Sequence, residues 1–310
     1  MDFPRRHRST YLFLIIFPYL YIIYSYFFNS SSTEQFQRNY LLKPEDTGRV
    51  LIIYVWADTD IQSLGNLQFF IRYGVHVSQQ ADYYFILQEV NKRPVNISSL
   101  PKLPPNAHYI EHVNECFDFG TFGWFLSKKS VNLKLYKYFI FMNASIRGPF
   151  LVAYFDDESS WWYNIYTKRL NDEVKLVGST INCEHKPHVQ SYILVTDHVG
   201  LAILTNPTKG VFSCASQLIL HANYQIASLQ VKYQGYDFRK RENQKCNYEK
   251  SPIFIDKSVD TITHDPFELV FVKYRGPSTS FDSDLERRAF IYQRWLKEQP
   301  PKQEPKKVIV

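Results

Sequence analysis

Tyr138-Phe-Ile-Phe-Met-Asn-Ala-Ser-Ile-Arg-Gly-Pro149 is a run of five large apolar residues that ends in small polar groups, a cation and a Gly-Pro turn. Unbroken apolarity of this length predicts a strand buried on both faces, as in a parallel sheet covered by helices. Ligands of open α/β sheets gather beyond the carboxyl ends of such strands, where loops offer free backbone and side-chain groups. Asn143, Ser145 and Arg147 fall at that end and become candidate site residues. The competing reading is that Asn143 and Ser145 only start a turn, which both residue types do well.

The same logic extends along the chain. Val50 to Trp56 is a second uninterrupted apolar run, and Asp82 to Leu87, Ala107 to His112, Val174 to Ser179 and Gln190 to Thr196 read as further strands. Ile61 to Tyr73 carries apolar residues at helical spacing, and Thr121 to Asn132, Ser159 to Leu170, Asp197 to Leu204 and Asp284 to Trp295 also read as helices. Strands that alternate with helices predict an α/β fold, a largely parallel Rossmann-type sheet with helices on both faces. No repeat of fixed period interrupts this order.

Arg5, Arg6, His7 and Arg8 precede a run from Tyr11 to Phe28 without a charge. That pattern predicts residues 1–10 as a cytoplasmic tail, 11–28 as a transmembrane signal anchor and 29–48 as a stem. A cleaved signal peptide is the competing reading. Residues 49–296 then form one domain outside the cytosol, and 297–310, rich in Pro and Lys, a disordered tail. The net charge of +6 is spread out with no basic block, which argues against a nucleic-acid partner. Sequons at Asn29, Asn96 and Asn143 are open to glycosylation in the secretory pathway. Four cysteines, Cys116, Cys183, Cys214 and Cys246, allow three complete disulfide pairings, and spacing does not choose among them. Cys183, His185 and His188 look like metal ligands, but their spacing matches no structural zinc pattern.

Several phrases together carry a resemblance: Asn114-Glu-Cys-Phe-Asp-Phe-Gly-Thr-Phe-Gly123, the stretch from Tyr138 to Phe150, Val174-Lys-Leu-Val-Gly-Ser-Thr-Ile-Asn-Cys183, His188-Val-Gln-Ser-Tyr192 and Phe267-Glu-Leu-Val-Phe-Val-Lys273. They resemble a family of membrane-anchored, Golgi-type glycosyltransferase-like proteins of plants and other eukaryotes, distantly similar to bacterial rhamnan-synthesis transferases. The resemblance runs from about Leu51 to Arg275. It implies a GT-A-like fold, a nucleotide-sugar donor and a glycan or glycosylated acceptor; with the basic flank before residue 11, the chain reads as a single-pass type II protein of the Golgi or another secretory-pathway membrane, its domain lumenal.

Donor-binding candidates are Asn114, Asp118, Asn143, Ser145, Arg147, Lys273 and Arg275, and His188 with Gln190 are the acceptor-side, catalytic candidates. A diphosphate leaving group needs its charge neutralised, by a metal on carboxylates or by fixed cations and amides. The place that GT-A enzymes give to Asp-x-Asp is held here by Asn143-Ala144-Ser145, whose neutral oxygens hold Mn or Mg weakly, so the metal is left unknown. A literal Asp58-Thr59-Asp60 follows the first strand, where Asp60 suits a helix cap. Asp118 reads equally as a ligand to sugar hydroxyls or as the cap of the helix after it. One departure stands out: relatives carry an acidic stretch where Cys214 here passes directly into Ala215-Ser-Gln-Leu. Loss of a carboxylate base is the route to the alternative function, a degenerate paralogue that binds glycans or nucleotide sugars, or scaffolds active transferases, without turnover.

Overall fold

The computed structural model describes residues 48–90, 95–115, 117–128, 130–152, 155, 161–206, 212, 214–247, 263–274 and 284–298. The expected anchor at 11–28, the stem up to residue 47, Cys116 and Arg275 lie outside the described residues. No helix among the described residues is long and apolar enough to cross a membrane.

Among the described residues, seven strands make one sheet: β1 (Val50–Ala57), β2 (Ala81–Gln88), β3 (Ala107–His112), β4 (Tyr138–Asn143), β6 (Val174–Gly178), β9 (Ile193–Asp197) and β10 (Gln225–Ser228), in the order β10-β6-β9-β4-β1-β2-β3. Two-residue strands form two antiparallel pairs beside it, β5 (Ile146–Arg147) with β11 (Val272–Lys273), and β7 (Ile181–Asn182) with β8 (His188–Val189). Of the main sheet, β9 alone runs antiparallel to its neighbours. The reason is its connection: the chain returns from β6 through the β7–β8 hairpin instead of a crossover helix, and a parallel partner needs a crossover.

Alternation along β1 builds the two core layers. Val50, Ile52, Tyr54 and Trp56 point to one face, where they meet Leu67, Phe70 and Ile71 of α1 (Ser63–Gly74). Leu51, Ile53 and Val55 point to the other, with Phe122 and Phe125 of α2 (Phe117–Ser127), Leu201 of α4 (His198–Leu204) and Ile219 of α5 (Ala215–His221). A third cluster joins Phe69, Phe150, Leu269 of α6 (Pro266–Leu269) and Tyr274 to Leu285 and Ala289 of the carboxyl-terminal helix α7 (Asp284–Glu298). Helix α7 includes Lys297 and Glu298, two residues beyond the expected domain boundary at 296.

Of the helix expected over 159–170, residues 159 and 160 lie outside the described residues, and within 161–170 the helix is limited to α3 (Asn164–Thr167). Trp162, Tyr163 and Tyr166 are buried there, and N–H groups of Asn164, Ile165 and Tyr166 bond the carbonyls three residues back, so tight turns seat the aromatic rings. The Trp162 indole donates to the Gly74 carbonyl at 2.8 Å, which makes it core. Cys183 is bonded to Cys246, so it cannot ligate zinc beside His185 and His188. Cys214 is free and exposed. Gly178 lets the β7–β8 hairpin close onto β6: a Cβ there would meet Val189 Cγ1 at 2.2 Å and the Ile193 carbonyl at 2.7 Å.

Candidate functional site

From β1 the chain builds outward to β2 and β3, then returns to place β4 on the opposite side of β1. Helices α1 and α2 leave on opposite faces, so the carboxyl ends of β1 and β4 flank a topological switch point. Val55 pairs with Asn143 there. The Asn143 Nδ2 donates to Asp118 Oδ2 at 2.8 Å, and Asn143 Oδ1 accepts from Ser145 N at 3.1 Å and from Ser145 Oγ at 2.6 Å. Asn143 therefore forms the turn and also holds the carboxylate that begins α2. The Ser145 carbonyl accepts from Tyr274 N at 2.9 Å, and Lys273 pairs with Ile146 across β5 and β11, so Lys273 arrives at the same edge.

Asp118 sits in the first turn of α2, because the helix starts four residues earlier than its expected onset at Thr121. Burial raises its pKa above the ordinary carboxylate value, opposed by the Asn143 hydrogen bond and the Lys273 charge. A carboxyl whose folded pKa lies above its unfolded one favours the fold in acid, below the unfolded pKa, and loses that contribution as pH rises through the folded pKa. Asp118→Asn, neutral throughout, is expected to melt above the parent chain at neutral pH and to converge with it in acid. Thermal melts across that range check it, and a gap independent of pH would refute the sign.

A cleft of about 470 Å³ opens beside Lys273, lined by the loop of the β7–β8 hairpin, Phe119 of α2 and Cys214 to Gln217 at the start of α5. His188, Gln190 and Lys273 all line it. The His188 Nδ1 bonds the Lys186 carbonyl at 2.8 Å. A carbonyl only accepts, so the neutral ring carries its proton on Nδ1 and a lone pair on Nε2. Gln190 is not part of a strand with His188; it follows β8, is buried, and its Oε1 accepts from Thr180 Oγ1 at 2.5 Å. Glu184, exposed in the hairpin, adds a carboxylate to the cleft. No motif in the sequence marks Glu184, which stands between a disulfide candidate and a histidine.

The other candidates go elsewhere. Arg147 is buried, with Nε on Asn66 Oδ1 at 2.9 Å, Nη2 on Gln62 Oε1 at 3.2 Å and its Cζ 4.0 Å from the centroid of the Tyr274 ring. Burial brings its pKa down to about 10. Arg147 faces α1 and does not line the cleft. Asn114 lies exposed in the turn before α2. Asp60 Oδ1 accepts from Gln62 N at 2.7 Å and Asp58 Oδ1 from Ser63 Oγ at 3.1 Å, so both acids shape the entry to α1. Near them the Tyr54 hydroxyl and Trp56 Nε1 are buried and find no hydrogen-bond partner among the described residues, and Arg147, Asp60 and Asp118 all act electrostatically on Tyr54. Buried unpaired donors are rare in finished cores.

The residues at the Asp118 end do not fit a divalent cation well. Asn143 turns an amide donor toward the lone carboxylate of the set, and among the described residues no three His, Cys, Asp or Glu side chains converge.

No family profile matches the chain, and no curated protein matches it. Solved structures similar to it include the mannosyltransferase PcManGT from Pyrobaculum calidifontis in complex with GDP-Man and Mn2+, at 10% identity and TM-score 0.36, covering 64% of this chain and 61% of that one. The glycosyltransferase GlyE of Streptococcus pneumoniae TIGR4 is similar at 10% identity and TM-score 0.38, over 83% of this chain and 66% of its own. An active-site mutant of LgtC is similar at 8% identity and TM-score 0.38, over 79% of this chain and 95% of its own. The chain thus spans less than two thirds of the first two. Likenesses of this strength decide nothing about its chemistry.

Proposed function

We propose that this chain is a glycosyltransferase that takes a nucleotide-sugar donor at the β1–β4 crevice and a glycan acceptor in the adjoining cleft. The observation that carries the reading is the meeting of Asp118, Asn143 and Lys273 at one strand edge, with Lys273 also lining the cleft that holds His188 and Glu184. In this reading Lys273 neutralises the diphosphate, and Asp118 accepts a hydrogen bond from a donor hydroxyl. The acceptor oxygen bonds to the anomeric carbon as the bond from that carbon to the phosphate oxygen breaks. The hydroxyl proton passes to His188 Nε2 or the Glu184 carboxylate, and the nucleoside diphosphate leaves.

Type II anchoring through residues 11–28 and a Golgi or other secretory-pathway location belong to the same proposal. The Cys183–Cys246 disulfide supports an oxidising compartment. Carbonate extraction of membranes checks the anchor: release of the intact chain into the wash would refute it.

A second reading, a binder without turnover, draws on the segment where the acidic stretch of the resembled family is missing. Phe212 and Cys214 both hold left-handed backbone there, at φ 55° and 50°, a strained arrangement for residues with side chains. Glu184 in the cleft favours the enzyme instead. A thermal-shift screen against UDP- and GDP-sugars, with and without manganese, tests donor binding, because a ligand of the native state raises apparent stability. Glu184→Gln separates the readings: transfer that falls by about a hundredfold with donor binding intact marks the enzyme, whereas binding without transfer by the parent chain marks the binder.

A further inference from the structure

We propose that Asn66 is a positioning residue of the candidate site: from inside α1 its amide ties the Asn143-Ala144-Ser145 tip to the strand end that bears Lys273, and Arg147 sets the direction of that amide. Asn66 is 0% exposed, on the buried side of a helix whose inward residues beyond its first turn, such as Leu67 and Phe70, are apolar. Packing alone gives no reason for an amide there, since burying one costs free energy unless its hydrogen bonds are met. They are met across the site. Nδ2 donates to the Ala144 carbonyl at 2.8 Å and the Tyr274 carbonyl at 3.3 Å, while Oδ1 accepts from Arg147 Nε at 2.9 Å.

A guanidinium only donates and carbonyls only accept, so one orientation of the Asn66 amide satisfies all three contacts. Ala144 lies between Asn143 and Ser145, and Tyr274 follows Lys273. One side chain therefore bridges two segments that are otherwise joined by the Tyr274 N to Ser145 O bond and the short β5–β11 pair. Arg147 is itself held by Gln62, by Gln293 of α7 and by the Tyr274 ring, which locks its Nε on Asn66. Gly65 makes room for it: a Cβ at that position would lie 2.9 Å from Nη2. The functional part of the inference rests on reading these tips as the donor site; the bridging does not.

Asn66→Asp keeps the shape and the acceptor for Arg147 but sets a carboxylate oxygen against two carbonyl oxygens. In hydrogen exchange, the Tyr274 amide is expected to exchange about tenfold faster while β1 and β2 amides keep their rates. UDP and GDP affinity, measured by titration calorimetry, is expected to weaken about tenfold. Unchanged exchange at Tyr274, or acceleration shared by the whole sheet, overturns the proposal. So does local loosening with unchanged affinity, because the bridge then positions nothing. If the parent binds neither UDP nor GDP, the donor reading fails, and the exchange result alone decides whether Asn66 bridges the tips. Should Asn66→Asp not fold, Asn66→Ala, which removes both donors without adding a charge, carries the same two measurements.

Discussion

The chain with Cys183→Ser and Cys246→Ser together is expected to lose about 4 kcal/mol of stability, by the loop-entropy relation for a cross-link of this span. The bond joins residues 63 apart, so its main effect is on the unfolded chain, which it keeps from expanding. Native contacts reinforce it: Asn247 Oδ1 accepts from Cys183 N at 2.9 Å, and Asn247 Nδ2 donates to Asn182 Oδ1 at 3.1 Å. Those contacts hold the base of the β7–β8 hairpin, whose loop lines the cleft. Urea denaturation checks the size of the effect, and a steeper dependence on urea should accompany it because the freed chain exposes more surface on unfolding. A double variant as stable as the parent would mean that the cross-link constrains little that the fold does not already fix.

Lys273→Ala is expected to weaken nucleotide-sugar binding by about ten- to a hundredfold, the range for losing one charge-assisted hydrogen bond. The fold should barely respond. Lys273 is half-buried at the tip of β11, while its neighbours Val272 and Tyr274 are buried and keep the strand in place against Phe69, Phe150 and α7. Affinity by titration calorimetry and melting temperature separate the two effects. Equal affinity in both proteins would remove Lys273 from the site, and a large fall in melting temperature would make it a structural residue.

Much of this architecture is legible in the sequence because the physics is local. The apolar runs of β1 and β4 announce strands covered on both faces, and the polar end of β4 marks the edge proposed for the ligand. Ala107–His112 needs only its own composition to be read as β3. What the sequence hides is non-local. Strands of two residues, as in the β5–β11 and β7–β8 pairs, have no periodicity of their own; their pairing comes from partners far along the chain. Arg147 looks like a free cation in the sequence, and its burial depends on Gln62 and Asn66 at the start of α1 and on Gln293 of α7, two segments far from it in the chain. The helix expected over 159–170 fails for a related reason: Trp162 and Tyr166 are drawn into the core by α1 and the segment before β11, and tertiary packing overrides propensity. Glu184 carries no motif, and only the hairpin that folds over the cleft makes it a candidate base.

The central claim is that Asp118, Asn143 and Lys273 surround the diphosphate-bearing end of a nucleotide sugar. Electron density from crystals soaked with a UDP- or GDP-sugar tests it most directly. The diphosphate is expected within hydrogen-bond distance, about 3 Å, of Lys273 Nζ, with the sugar beside Asp118 and its anomeric carbon open to the cleft. Density for the ligand at another surface, such as the groove between Arg72 and Lys102, with the Lys273 edge empty, would contradict it.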